Sequence, residues 1–159
     1  MQRPEDKSAL NRGHRGNIMV VDDDTMNRRV LRRFLETENY SVAEARGGLE
    51  ALDLLKHSWF DLVLLDINMP DVDGYQTLAT LKLDKRLRDL PVIMVSSLDD
   101  LPSVVRCFEL GANTYVVKPL SRILLTSRIE ACLKKNRLRD WHPEEPRFRV
   151  LSGNAPRGS

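Results

Sequence analysis

The chain has 159 residues, 42% of them hydrophobic and 30% charged, which suits one globular domain with a buried core. No apolar run approaches the roughly 20 residues that span a bilayer, and the opening residues lack the apolar stretch of a signal peptide, so a cytoplasmic protein without membrane contact is expected. A net charge of +2 does not by itself argue for nucleic acid, and the two cysteines, Cys107 and Cys132, lack metal-like spacing and are expected as free, buried or half-buried thiols.

Residues 1–16 mix charged residues, Gly and Asn with almost no apolar content and are expected to form a flexible extension. A strand at about 17–21 follows, then a helix at about 25–38, a strand at about 41–45 and a helix at about 47–57. The alternation continues with a strand at about 61–66, a helix at about 74–84, a strand at about 91–96, a helix at about 100–110, a strand at about 114–117 and a helix at about 121–139. Residues 140–159, with three prolines and two glycines, are expected to form a flexible tail, leaving 17–139 as the folded domain. Five β–α units in this order imply a parallel sheet with helices on both faces.

In the first helix Met26, Val30 and Phe34 recur every four residues, and Arg28, Arg29, Arg32 and Arg33 between them read as a solvated face. Asp24 is placed to begin that helix, near its positive dipole end. The fourth helix carries Leu101, Val104, Val105 and Phe108 at i, i+3, i+4 and i+7, one apolar stripe stopped by Gly111. In the fifth, Leu125, Ile129, Cys132 and Leu133 make a stripe to cover the sheet or a partner, surrounded by Arg122, Arg128, Lys134, Lys135, Arg137 and Arg139 against the single acid Glu130.

The strand ends carry the chemistry. The run Asp61-Leu-Val-Leu-Leu-Asp66 leaves Asp66 where a buried strand opens into a loop. Ile18-Met-Val-Val21 runs into Asp22, Asp23 and Asp24; Val92-Ile-Met-Val95 ends in Ser96 and Ser97; Tyr115-Val-Val117 ends in Lys118 and Pro119. If the first and third strands are neighbours in the sheet, Asp22, Asp23 and Asp66 converge at one rim beside Lys118. Unit charges about 4 Å apart repel by roughly 4 kcal/mol at an effective dielectric near 20, so three carboxylates against one ammonium call for a divalent cation. Hard oxygen ligands favour Mg²⁺. In such a site Asp66 is the candidate nucleophile, with Lys118 a point charge and the Ser96 hydroxyl a donor for the oxygens of a negatively charged group held there.

The joint order of acid pair, lone Asp, hydroxyl and Lys-Pro over roughly residues 17–139 resembles the receiver domain of two-component response regulators. The resemblance implies an α/β, doubly wound five-stranded parallel sheet, the flavodoxin-like (βα)5 receiver fold. It implies that Asp66 accepts a phosphoryl group from a histidine kinase or histidine phosphotransfer protein. It further implies that Asp23 and Asp66 bind Mg²⁺ directly, Asp22 through water and Asn68 through its backbone carbonyl, and that the Lys118–Pro119 peptide is cis. Ser96 would then move toward loaded Asp66 and Tyr115 turn inward, altering the face of the fourth helix, fifth strand and fifth helix. The same face is where a phosphorylation-dependent homodimer is expected, its basic fifth helix against Asp99, Asp100 and Glu109. Such a domain is not an enzyme in the usual sense; it assists its own phosphorylation and dephosphorylation. Ser97 departs from the very small residue often found at its position in the family.

Three other readings stand beside this one. A haloacid-dehalogenase-like phosphatase also uses a strand-end Asp nucleophile with Mg²⁺, but wants a second Asp where Asn68 stands. A mononucleotide-binding module wants a Gly-rich loop where Asp22-Asp-Asp-Thr25 stands. A receiver-like scaffold without phosphorylation is the third. His14, His57 and His142 have no ligand spacing and read as surface residues. The residues after the last helix are too few for a DNA-binding or cyclase domain, so direct nucleic-acid binding is not expected of this chain, and output falls to a partner protein or to the rest of a longer regulator. The stretch Ala131–Asp140 looks similar to the helical lead-out of receivers that precede cyclase-type output domains.

Overall fold

The computed structural model describes residues 13–140, with side chains described through residue 136. The elements are β1 (Asn17–Val21), α1 (Thr25–Thr37), β2 (Ser41–Ala45), α2 (Gly48–His57), β3 (Leu62–Asp66), α3 (Gly74–Leu83), β4 (Val92–Ser96), α4 (Leu101–Glu109), β5 (Thr114–Val117) and α5 (Arg122–Asp140). All pair in parallel in the order β2-β1-β3-β4-β5, the doubly wound sheet that the alternating pattern implies. The central strands β3 and β4 are buried along their whole length, which is why they read as continuous apolar runs.

Side chains alternate between two cores. Met19, Val21, Val63, Leu65 and Met94 face α2, α3 and α4, where Ala51, Leu55, Leu78, Leu81 and Cys107 close the layer. Ile18, Val20, Leu62, Leu64, Ile93 and Val95 face α1 and α5, meeting Leu31, Phe34, Leu35, Leu125, Ile129 and Leu133. The α5 stripe thus covers the sheet, with Cys132 packed at its margin. Both cysteines are free, Cys107 buried and Cys132 half-buried.

Caps define the helix starts. Asp24 accepts from the Asn27 amide at 3.0 Å, Asp100 accepts from Ser103 at 3.0 Å, and Asp73 forms a reciprocal capping box with Gln76. Gly111 takes φ +109° just past α4, and the Ala112 amide reaches back to the Cys107 carbonyl at 3.0 Å, a left-handed stop that glycine adopts without strain.

Two expectations are corrected. In α1 the buried face is Leu31, Phe34 and Leu35 together with Arg28, which is only 6% exposed, whereas Met26 and Val30 are 66% and 54% exposed. Each four-residue step turns by about 40° around a 3.6-residue helix, so the series that touches the core at Phe34, on the edge of the buried face, has left it at Val30 and Met26. In α4 the apolar stripe does not bury: Leu101, Val105 and Phe108 are exposed, Val104 is half-buried, and Cys107 alone reaches the core.

Of the expected N-terminal extension only 13–16 are described, and these are held in place. The Arg15 amide donates to the Asn39 carbonyl at 2.8 Å, its guanidinium pairs with Glu130 at 2.6 Å and lies over the Tyr40 ring, and Gly16 is buried. The expected tail beyond residue 140 and His142 lie outside the described residues, as do the side chains of Arg137 and Arg139. Among the described residues no helix is long and apolar enough to cross a membrane.

Candidate functional site: an acidic crevice at the sheet's carboxyl edge

β1 and β3 are neighbours in space, and the chain turns opposite ways after them, so their loops part around a crevice. Asp22 and Asp23 follow β1, and Asp66 ends β3; one ligand oxygen from each lies within 4.8 Å of the others. Asp22 and Asp66 are buried and Asp23 is exposed. From beyond β5, Lys118 Nζ comes to 3.2 Å from Asp22 Oδ2 and 3.7 Å from Asp66 Oδ1. The Lys118–Pro119 peptide is cis.

Three carboxylates facing one ammonium leave the crevice negative. Burial pushes the Asp66 carboxyl up to about 6; Lys118 pulls it down, Asp22 pushes it up again, the Ile67 amide lowers it and Asp23 raises it. An all-oxygen donor set with unbalanced negative charge fits a hard divalent cation such as Mg²⁺, and fits a soft metal poorly. The backbone orients the donors. Asp22 Oδ1 accepts from the Asp24 amide at 2.9 Å, and Asp66 Oδ1 from the Ile67 amide at 3.0 Å. Asn68 lies exposed at the start of the loop after β3.

On the other side of Asp66, Ser96 ends β4 fully buried, its Oγ accepting from the Leu98 amide at 3.1 Å and its carbonyl from the Lys118 amide at 2.8 Å. Tyr115 is half-buried, and its hydroxyl donates to the Leu98 carbonyl at 2.6 Å. Burial raises its phenol above the ordinary range. Ser97 is exposed.

Sequence reading missed two features. Gly74 opens α3 against the backbone of β3: a Cβ there would lie 2.3 Å from the Asp66 carbonyl oxygen and 2.6 Å from Ile67 Cα, so no other residue fits unmoved. Its amide donates to the Ile67 carbonyl at 2.8 Å. Arg28 Nη1 donates to the Asp22 carbonyl at 2.8 Å, and its Nε to Glu44 Oε1 on β2 at 3.0 Å. Glu44 Oε2 accepts from Arg32 at 2.9 Å, and Arg32 and then Arg28 hold its carboxyl below the usual range. The glycine following an Asp at a helix start is visible in the sequence; the Arg28–Glu44 pair, on different elements, leaves no local signal.

Residues 18–130 match the sequence model of the response regulator receiver domain. The chain belongs to the response regulator receiver family. It is 35% identical over 138 residues to a probable transcriptional regulator, ycf27, of Cyanidium caldarium, covering 87% of this chain and 53% of that protein. The chain spans about half the length of the transcriptional regulators it matches. Its fold is similar to a signal receiver domain of a histidine kinase from Syntrophus aciditrophicus, with TM-score 0.71 and 34% identity over 76% of this chain and 91% of that one. It is also similar to a CheY-like receiver domain protein from Methanospirillum hungatei, with TM-score 0.72 and 30% identity over 77% and 97% of the two chains. Receiver domains are signalling domains of two-component systems, which closes the phosphatase and mononucleotide readings.

Proposed function

We propose that this receiver accepts a phosphoryl group on Asp66 from a histidine kinase or histidine phosphotransfer protein in the cytoplasm, and passes the change to an output domain or partner protein. The observation that carries this is the Asp22, Asp23 and Asp66 cluster with the Lys118 ammonium against two of its members. Asp23 and Asp66 would hold Mg²⁺ directly, with Asp22 through water and the Asn68 carbonyl completing the set. Bound Mg²⁺ offsets the negative charge shared by the carboxylates and the incoming phosphoryl group. An Asp66 oxygen forms the new P–O bond while the donor's P–N bond breaks and its imidazole leaves. Lys118 then holds one phosphoryl oxygen and Ser96 Oγ donates to another.

The hydrogen bonds around Ser96 support a route outward. When its hydroxyl turns toward the phosphoryl group it releases the Leu98 amide, and Leu98 also carries the carbonyl that Tyr115 holds. The face of α4, β5 and α5 is thereby repacked. That face exposes Leu101, Val105, Phe108 and Val117, with the acids Asp99, Asp100 and Glu109 on one side and the cations Arg122, Arg128, Lys134 and Lys135 on the other. This self-complementary charge suits a phosphorylation-dependent homodimer across a two-fold axis. The working unit is residues 17–139.

Incubation with Mg²⁺ and acetyl phosphate tests the chemistry. Intact mass should rise by one acid-labile phosphoryl group in the parent and stay unchanged in Asp66→Asn. A parent that takes no phosphoryl group from any donor or kinase would leave a scaffold that does not signal by phosphorylation.

A further inference from the structure

We infer that Arg28 is a positioning residue for the metal site: by fastening the Asp22 carbonyl it fixes the peptide plane that aims the Asp23 carboxylate into the crevice. The inference rests on the metal-dependent reading above and adds a residue that touches neither metal nor phosphoryl group. Arg28 emerges from the second turn of α1 into a buried position, and each of its three guanidinium nitrogens donates a hydrogen bond. Nη1 donates to the Asp22 carbonyl at 2.8 Å, Nε to Glu44 at 3.0 Å and Nη2 to Thr25 Oγ1 at 3.3 Å.

The Asp22 carbonyl and the Asp23 amide belong to one planar peptide unit. Anchoring the carbonyl therefore sets the orientation in which Asp23 begins. The other side of Asp22 is anchored as well, because its Oδ1 accepts from the Asp24 amide and its Oδ2 from Lys118. Asp22 is thus gripped between two cations, Lys118 on its carboxylate and Arg28 on its carbonyl, while exposed Asp23 is aimed through the backbone they hold. Glu44, shared with Arg32, keeps the guanidinium plane turned toward the loop and offsets only part of its charge. Only a planar fork serves three acceptors in these directions; an ammonium is a single point.

This role is opposite in sign to the effect of Arg28's charge alone. A cation next to the acid cluster weakens a divalent ion's binding, so if charge dominated, removing it would tighten Mg²⁺. Positioning predicts loosening, including for Arg28→Lys, where the charge is kept and the fork is lost. Residues that orient metal ligands typically change affinity by roughly 10- to 100-fold when removed. Calorimetric Mg²⁺ titration of the parent, Arg28→Lys, Arg28→Met and the exposed control Arg29→Gln, all at a temperature where each is folded, reads this directly. Affinity should fall several-fold in Arg28→Lys and about tenfold or more in Arg28→Met, with Arg29→Gln at the parent value. Amide exchange at Asp23 and Asp24 without metal should quicken in both Arg28 variants, a readout independent of loading. Tighter Mg²⁺ in Arg28→Met, or parental affinity in Arg28→Lys with unchanged exchange, overturns the inference while leaving the metal site intact. A parent that binds no Mg²⁺ overturns the metal site and this inference with it.

Discussion

α1 and α4 flank opposite faces of the same sheet, both begin on an aspartate cap, and both look amphipathic in sequence. Their settings are reversed. α1 buries Leu31, Phe34, Leu35 and a salt-bridged arginine while leaving Met26 and Val30 in solvent; α4 buries little beyond Cys107 and leaves Leu101, Val105 and Phe108 exposed. The first helix is a fixed wall of the acidic crevice, holding its loop through Arg28. The fourth is lightly attached, with its apolar surface unspent. The difference teaches that an apolar stripe says a helix has a surface to cover, not that its own chain covers it.

The largest expected effect separates the two helices by stability. Leu35→Ala in α1 removes a fully buried side chain and should cost about 3 kcal/mol, whereas exposed Phe108→Ala in α4 should cost under about 1 kcal/mol. Urea titration of both variants decides it, and equal losses would break the contrast. Arg28→Met leaves Glu44 with Arg32 as its remaining guanidinium, so about 2 kcal/mol should be lost rather than the larger cost of a fully orphaned buried charge.

Next comes the crevice itself. Asp66 titrates at about 6 in the folded chain against an ordinary carboxylate value of 3.8, so the folded state binds the extra proton between those values. Stability from this group is therefore greatest in acid and falls as pH rises through about 4 to 6. Unscreened, a shift of that size is worth about 3 kcal/mol; solvent screening on the open side of the crevice reduces it to about 1–2 kcal/mol. Asp66→Asn should accordingly stabilise the metal-free protein at pH 7.5 by that amount, with the gain fading as the pH approaches 4 and shrinking when Mg²⁺ is added. Thermal melts across that pH range check the sign.

The smallest effects concern the caps. Asp24→Ala should cost about 1 kcal/mol of global stability, because α1 belongs to the cooperative core. Asp100→Ala should instead appear as faster amide exchange confined to the first turn of α4, with the global transition unmoved. A global loss in both would put α4 inside the same cooperative unit as α1.

The sequence pattern carried the alternation of strands and helices, the sheet's parallel sense and the rim where Asp22, Asp23, Asp66 and Lys118 gather, because strand ends and apolar runs are local signals. Asp24 as a cap and Gly111 as a stop were legible for the same reason. The facing of α1 was not. Three arginines of that helix are solvated or half-solvated as their type suggests, and the buried fourth owes its position to a glutamate on another strand. Gly74 was passed over because its constraint comes from the backbone of β3, a neighbour that only folding supplies.

That close approach has a mechanical consequence. The amide of Gly74 bonds the Ile67 carbonyl while its bare Cα rests against the Asp66 backbone, so the loop between them is closed at its neck like a riveted joint. β3 cannot slide past α3 without opening that neck. Strain introduced at Asp66 therefore finds a stiff side toward α3 and a compliant one toward the Ser96–Asp100 loop, which leads into the lightly anchored α4. A probe on α3 should stay quiet when the crevice is loaded, and one on α4 should move: the asymmetry of stiffness sets the direction of travel before any partner arrives.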